Sequence, residues 1–292
     1  GSSGSTTSSG AASGSSSGGT LDGGEPDAGR VVLGDGGATC GTAGHGPSFA
    51  NTPTLMATSF TDGTISPFSI CTTEPPNFGR NTTLNGDPSI ELFWTQVGYN
   101  GTRLRRGAEA CSSLTFLKEG WYGFRFYLPT PGFPTDKTDG IAQIFAHGGC
   151  SSWAAMLHVT NNTLSLVHRR ACVAPTEAPL AADIRRNTWN PIIIHFVASH
   201  QQAGTIEVWY GDAVCRGGAP TYRQTGIDFG FGTWIGDTFA DMPNNGIGLK
   251  FGMYNFDDGN YTAGETRTIY YDKVSQLVGN PPNAYAIVNP LQ

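Results

Sequence analysis

The sequence predicts an all-β chain, and three observations carry that prediction. Stretches of alternating apolar and polar residues recur between clusters of Gly, Pro, Asn and Asp, whereas runs with helical periodicity are few. Glycine (41) and proline (18) are plentiful and charged residues make up 14% of the chain, a composition suited to short strands and tight turns. The 38% hydrophobic and 11% aromatic content is enough to fill a large core. A single β domain of this kind reaches ~200–250 residues.

Residues 1–20 (GSSGSTTSSGAASGSSSGGT) are almost wholly Ser, Gly, Thr and Ala. They cannot bury apolar area and read as a flexible linker. Residues 21–55 stay Gly-rich and are expected to form an irregular arm, pinned if Cys40 enters a disulfide. Residues 56–292 are assigned to one folded domain. Within it SIELFWTQV (89–97) alternates well, and YGFRFYL (122–128) puts Tyr122, Phe124, Phe126 and Leu128 on one face, with Arg125 and Tyr127 on the other. IAQIFAH (141–147) comes next, then AAMLHV (154–159) and TLSLVHRR (163–170), joined by Asn161–Asn162, a tight-turn signal. NPIIIHFVAS (190–199) and GTIEVWYGD (204–212) form a further hairpin, and Trp189, Gly204, Val208 and Gly211 follow a pattern common in concanavalin-like sandwiches. The last strands are expected at 247–255 and 266–274, and the tail after Ser275, with Pro281 and Pro282, as an extended wrap. About a dozen strands without a substantial helix give a β-jelly roll, an antiparallel two-sheet sandwich with one sheet curved into a concave groove.

Three of these runs share a layout that points to chemistry. In a strand, residues i, i+2 and i+4 face the same way. Gln143 therefore lies with Phe145 and His147 while Ala142, Ile144 and Ala146 face a core. Lys250 lies with Gly252 and Tyr254 while Leu249, Phe251 and Met253 face inward. In the third run, TIYYDKV (268–274), apolar positions again take one face. An amide, an imidazole, an ammonium and a phenol on the free face of a sheet describe a polar reaction groove.

Charge and cysteine usage narrow the setting. The net charge of −6 argues against a nucleic-acid partner, and no run approaches the ~20 apolar residues of a membrane span. Thirteen Arg against four Lys, clustered at 103–106, 169–170 and 185–186, suit an anionic ligand, because a guanidinium pairs a carboxylate bidentately. Six cysteines (Cys40, Cys71, Cys111, Cys150, Cys172, Cys215) make an even count without a CxxC pair, and four glycosylation sequons begin at Asn81, Asn100, Asn161 and Asn260. Disulfides with glycans imply a secreted, extracellular eukaryotic glycoprotein; a monomer with no membrane partner is expected. The chain starts without a secretory signal, as a trimmed N-terminus would. Fifteen disulfide pairings are open for six cysteines. The one assigned is Cys150–Cys172, which would bridge a hairpin.

KFGMYN resembles the last motif of alginate lyases, in which a Lys, a Gly, a Tyr and an Asn recur at this spacing on one strand. IAQIF resembles the strand that carries their catalytic Gln, and RRGAE (105–109) is a looser match to their Arg- and Glu-bearing early strand. Fungal glucuronan lyases are more similar still. They share the WYGFRFYL-like strand, the Ala-Gln-aromatic run, two Cys around the next hairpin and a closing Tyr-Asp strand, over roughly residues 104–275. Fungal enzymes of this kind often carry a cellulose-binding module on such a Ser/Gly linker.

The resemblance implies cleavage of an anionic polysaccharide, a β-1,4-linked polyuronate with glucuronan ahead of alginate, by β-elimination. Such a reaction takes the C5 proton, acidified by the neighbouring carboxylate, and expels the C4 oxygen. The carboxylate must be neutralised, which is an oxyanion-type task, and a base and an acid must move protons. In gluco- and mannuronate the C5 hydrogen and C4 oxygen share a ring face, so one tyrosine serves both. Tyr254 is assigned that role, Gln143 the substrate carboxylate, with Arg106 or Arg103 assisting. Lys250, Asn255, Tyr261, Arg125 and His168 are further expected binders. Where alginate lyases place a His two residues after the Gln, this chain has Phe145, and His147 lies about 7 Å further along the strand. The base stays open among His147, His168 and Tyr254 acting alone, while His158 and His195 read as packed core imidazoles. Catalysis is expected to need no cofactor. Jelly rolls of this kind often hold one structural Ca2+, for which Asp272 and Asp62 would supply hard oxygen ligands.

Two other functions fit the same fold. A non-catalytic glycan-binding sandwich would keep the groove and lack the base. A glycoside hydrolase would need two carboxylates on the groove face, and Glu109 and Glu207 are the strand-placed Glu residues of the central region.

Overall fold

The computed structural model describes residues 51–97, 107–115, 118–146, 152–169, 174–199, 202–229, 233–235, 238–240, 247–254 and 261–292. The chain divides into units 1–30 and 31–292, and all of these residues belong to the second. The expected linker and most of the expected arm, the Cys150–Cys172 pairing and residues Arg103, Arg106, His147 and Asn255 lie outside the described residues.

Period-two sequences fold here into two antiparallel sheets. The larger contains β1 (Leu55–Thr58), β3 (Phe78–Leu84), β4 (Asp87–Thr95), β6 (Glu119–Tyr127), β11 (Trp189–Val197), β12 (Gly204–Tyr210), β13 (Tyr222–Ile227) and β17 (Thr266–Val278). Its order is β13-β12-β11-β6-β17-β4-β3, with β1 also paired to β17. The smaller contains β2 (Ser69–Ile70), β5 (Gly107–Cys111), β7 (Asp139–Ala146), β8 (Ser152–Thr160), β9 (Thr163–His168), β10 (Thr176–Ala181) and β16 (Ile247–Tyr254), in the order β10-β9-β8-β7-β16-β5-β2. A short hairpin pairs β14 (Thr233–Ile235) with β15 (Thr238–Ala240). Two five-residue helices, α1 (Asp212–Arg216) and α2 (Ala284–Val288), complete the elements. The fold is an all-β jelly roll, as the alternation predicts.

Inner faces of the two sheets make one core. Tyr122, Phe124, Phe126 and Leu128 of the β6 region, Ile192, Ile194 and Phe196 of β11, and Ile269 and Tyr271 of β17 face Ala142, Ile144, Leu157, Leu249, Phe251 and Met253 of the other sheet. The Asn161–Asn162 turn between β8 and β9 has φ of 49° and 61°, the pair of positive values a two-residue hairpin demands. The C-terminal tail departs from expectation. β17 runs on to Val278, and α2 then lays Ala284 and Val288 over Trp121, Ile193 and Trp209 on the outer face of the larger sheet. The apolar residues Tyr285, Ile287 and Leu291 pack against that cluster, which gives the tail a reason to coil instead of staying extended.

Arg267 joins the sheets at the start of β7. Its guanidinium is fully buried and bonds Asp139 Oδ2 at 2.8 Å and Asp136 Oδ1 at 3.2 Å, with further bonds to Glu265 and to the Pro134 carbonyl. Burial pushes the Asp139 carboxyl up to about 7, against the pull of Arg267 and of the Tyr261 hydroxyl. Removing one partner of a buried pair leaves the other charge uncompensated, which costs roughly 3–5 kcal/mol. Arg267→Met should therefore lower unfolding stability by about that amount in urea titrations. A loss below about 1 kcal/mol would show that Asp139 is neutral without it.

Candidate active site

The site is built on the outer face of the smaller sheet. β5, β16, β7, β8 and β9 are successive neighbours there, and each buries every second side chain in the core. The side chains left outside fall into two rows. Lys250 stands opposite Gln143, which stands opposite Met156 and then Val167. Tyr254 stands opposite Gly140, followed by His158 and Ser165. Gln143 is buried, whereas Lys250 and Tyr254 are half-buried and reach toward solvent. The three residues assigned from the sequence to the carboxylate, the cation and the phenol thus share one face, with Lys250 directly across from Gln143.

Between Lys250 and Tyr254 lies Gly252, opposite Glu109 of β5. Its φ of 118° is accessible to glycine, and a Cβ there would collide with the Ala108 carbonyl oxygen and come within 2.9 Å of Glu109 Cα. The bare backbone leaves a gap through which the Glu109 side chain crosses β16. Gln143 Nε2 donates to Glu109 Oε1 at 2.5 Å. Glu109 Oε2 points toward Gly107, in the Tyr254 row, and lacks a hydrogen bond of good geometry. The Thr72 hydroxyl is near enough to draw the carboxyl down slightly but turns its hydrogen to Cys71 Sγ.

The backbone of Glu109 is clamped from the far side. Its N–H donates to Thr73 Oγ1 at 3.1 Å and its carbonyl accepts from the Cys71 N–H at 3.1 Å. The Cys71–Cys111 disulfide, with Cα atoms 5.8 Å apart, holds this segment against β5. Cys215 is disulfide-bonded as well.

Burial dominates the electrostatics. Glu109 is fully inaccessible, and burial pushes its carboxyl from 4.5 up to about 7, against the charge of Lys250 and the Gln143 bond. Lys250 is pushed down by burial, with the Glu109 charge opposing. Its ammonium sits 3.6 Å from the centre of the Phe145 ring, a cation–π contact. At the neighbouring edge Arg169 stacks 3.7 Å over the Trp153 ring and bonds the Trp153 carbonyl through Nε at 3.1 Å. The Arg169 guanidinium is pushed down by burial and is close enough to Tyr254 for the two charges to interact.

Several expected site residues stand elsewhere. Arg125 is on the outer face of the larger sheet, paired with Asp272 and, at 3.0 Å, with Asp87, and stacked on Trp189. That placement takes it out of substrate binding. Tyr261 is buried, packs on Trp94 and donates to Asp139 Oδ1 at 2.8 Å, so it serves the core. His168 faces inward, bonds Gln224 at 3.0 Å and packs edge-on to Phe229. His158 is the converse case. It lies on the outer face beside Met156, and burial lowers it to about 4, which keeps the imidazole neutral.

The two expected calcium ligands each have other partners. Asp272 is engaged by Arg125 and by the Lys273 N–H, and Asp62 bonds Thr64. Among the described residues no group of three or more His, Cys, Asp or Glu is placed to hold a metal ion.

Glu109 and His158 are the groups that sequence reasoning left out of the site. The signal for Glu109 was its place in the GAEAC alternation between Ala108 and Ala110. For His158 it was the alternation with Leu157 and Val159.

One face of the smaller sheet thus gathers an amide, a cation, a phenol and a buried carboxyl. The polysaccharide lyase family model matches residues 71–275, and the chain belongs to that family. An endo-β-1,4-glucuronan lyase from the fungus Trichoderma reesei superposes with a TM-score of 0.58 at 17% identity, over 81% of this chain and 97% of that one. An alginate lyase from the marine Aplysia kurodai superposes at 0.51 with 10% identity, over 79% and 100% of the two chains. An alginate lyase from Chlorella virus superposes at 0.50 with 10% identity, over 72% and 90%. At these identities the likeness is one of fold. No curated protein matches the chain in sequence.

Because Glu109 has a folded-state pKa above its unfolded one, its contribution to stability is full below about 4.5 and is lost as pH rises through about 7. The loss at alkaline pH is on the order of 3 kcal/mol. Glu109→Gln keeps the bond to Gln143 and removes the ionisation. Its urea midpoint should therefore fall less than that of the wild type between about pH 5 and about pH 8. Equal falls in both proteins would show that the carboxyl ionises without penalty.

Proposed function

We propose that this polysaccharide lyase is a secreted enzyme that cuts a β-1,4-linked polyuronate, glucuronan in preference to alginate, by β-elimination. One observation carries the reading: the register sets Gln143 beside Lys250, with Tyr254 on the same face one residue beyond Met253. The likeness of fold to a fungal glucuronan lyase and the Cys71–Cys111 disulfide are consistent with it.

Each group has a task in that reaction. The C5 proton of a uronate becomes removable when charge on the C6 carboxylate is balanced, because the carbanion is then an enolate and not a dianion. Gln143 has a second amide hydrogen beyond the one given to Glu109, and Lys250 supplies positive charge directly across the strand pair. Lys250 and Tyr254 are four residues apart along β16, roughly 13 Å by strand rise, a span the lengths of the two side chains can close, so the phenol would reach C5 and O4 while the carboxylate faces the amide. Acting as the phenolate, the Tyr254 oxygen takes the proton from C5, the C4–O bond breaks, and the same proton passes to the leaving oxygen, which restores the phenolate. Arg169, at the edge near Tyr254, would receive the carboxylate of an adjoining sugar.

The test is direct. Glucuronan or alginate mixed with the enzyme should generate the ultraviolet absorbance of an unsaturated, conjugated uronate, which binding alone never produces. Tyr254→Phe should abolish the signal, and Gln143→Ala should lower turnover by roughly 10²–10³-fold. A folded Tyr254→Phe protein with wild-type turnover would remove Tyr254 from the mechanism. Retention of either polymer without product would favour a binding role for the site.

A further inference from the structure

Glu109 is an unusual presence in a site meant for an anion. Its carboxyl is fully buried, spans Gly252 to reach the Gln143 amide, and leaves Oε2 without a well-aimed partner. Among the described residues the groups that face it are few. β16 contributes Lys250 and Tyr254, β7 contributes the neutral Gln143, and the 71–73 segment contributes the Thr72 and Thr73 hydroxyls. Beneath it lies Tyr271 of β17, which hydrogen-bonds the Ile141 carbonyl and feels the Glu109 charge. Among these groups Lys250 is the one cation.

We infer that Glu109 is a proton-linked positioning residue: it fixes the Gln143 amide across Gly252 and takes up a proton from solvent when a uronate carboxylate binds beside that amide. This rests on the polyuronate reading above. The charge balance explains it. With Glu109 ionised, Lys250 is already neutralised and an incoming carboxylate makes the buried group net negative. With Glu109 protonated, the ammonium is left to pair with the substrate and the total is zero. Two carboxylates on one amide cannot both stay ionised cheaply, so the pair holds one proton, and the substrate, whose carboxyl is the stronger acid in water, keeps the charge. The Oε2 hydrogen then has a direction to point, toward the Tyr254 row where the sugar lies. Burial that already brings the carboxyl to about 7 makes the uptake easy near neutrality.

The experiment uses Tyr254→Phe protein, which binds without turnover, and a glucuronic-acid oligosaccharide. Calorimetric titration at about pH 8 in two buffers of different ionisation enthalpy should show uptake of close to one proton per ligand. Affinity should weaken by up to about tenfold per pH unit above neutrality. The double variant Tyr254→Phe/Glu109→Gln should bind with no uptake and a flat pH dependence. Binding without proton uptake, or equal uptake by the double variant, overturns the inference and leaves the polyuronate reading standing. No binding at about pH 5.5, where the carboxyl is protonated, removes the polyuronate reading itself and this inference with it. If the double variant does not fold, the carbon-13 resonance of the Glu109 carboxyl in the single variant replaces it. At about pH 8 that resonance moves to the neutral-acid position on saturation, or it stays and the inference fails.

Discussion

The antiparallel register of β16 with β7 is the constraint on which the rest of the site depends. A strand has period two, so slipping the pairing by one residue exchanges its two faces. In β16 that slip would turn Leu249, Phe251 and Met253 out of the core and drive Lys250 and Tyr254 into it. Each large apolar side chain so lost forfeits about 1.5–3 kcal/mol, before the cost of burying an ammonium. Packing between the sheets therefore places the polar groups, although none of them contributes to that packing. The same rule on β5, through Ala108 and Ala110, turns Glu109 toward the outer face.

That dependence explains how far the sequence could be read. The faces of 141–146 and 249–254 were legible because three apolar residues mark the inner side of each. Arg125 was legible in part: alternation puts it opposite Phe124 and Phe126, off the core, yet period two does not say which sheet a strand joins. β6 belongs to the larger sheet, and its outer face looks away from the site. His168 follows from the alternation that buries Leu164 and Leu166, and that alternation rules it out as a base on the outer face. His158 was hidden by its apolar neighbours, since Met156 is buried on the outer face and register shifts in β7 against β8 break the pattern. Tyr261 depends on a contact with Asp139 more than a hundred residues away, which no local pattern encodes. The crossing of Glu109 over Gly252 needs the order β5-β16-β7, a non-local fact as well.

The two most deeply buried acids of the smaller sheet show how position separates structure from chemistry. Asp139 and Glu109 are both inaccessible and both raised to about 7 by burial. Asp139 receives Arg267 and the Tyr261 hydroxyl, and it lies on the inner side between the sheets. Its surroundings satisfy both oxygens, and a ligand has no way to share them. Glu109 has one amide at one oxygen and a half-buried ammonium nearby, on the side where Lys250 and Tyr254 meet solvent. An under-satisfied buried acid costs stability, and it persists where another group completes it. The clamp from Thr73 and Cys71 keeps that acid from relaxing toward water.

The same geometry separates elimination from hydrolysis. A glycoside hydrolase of this shape requires a second carboxylate roughly 5–10 Å from the first, across the scissile bond. Glu207 cannot serve, because it lies on the outer face of the larger sheet, where its Oε2 holds His195 Nδ1 at 2.8 Å. His195 Nε2 pairs with Glu119 at 2.9 Å on that same face, beyond the core from Glu109. Among the described residues the site face also carries Glu177 of β10, opposite Val167, but β10 is five strands from β5, roughly 24 Å away, and Glu109 itself is poised to be neutral. A hydrolase would want a carboxylate there to support an oxocarbenium-like cation, whereas elimination builds negative charge on the substrate. An amide, an ammonium and a protonated acid all favour added negative charge. The electrostatics of the face point the way the family does.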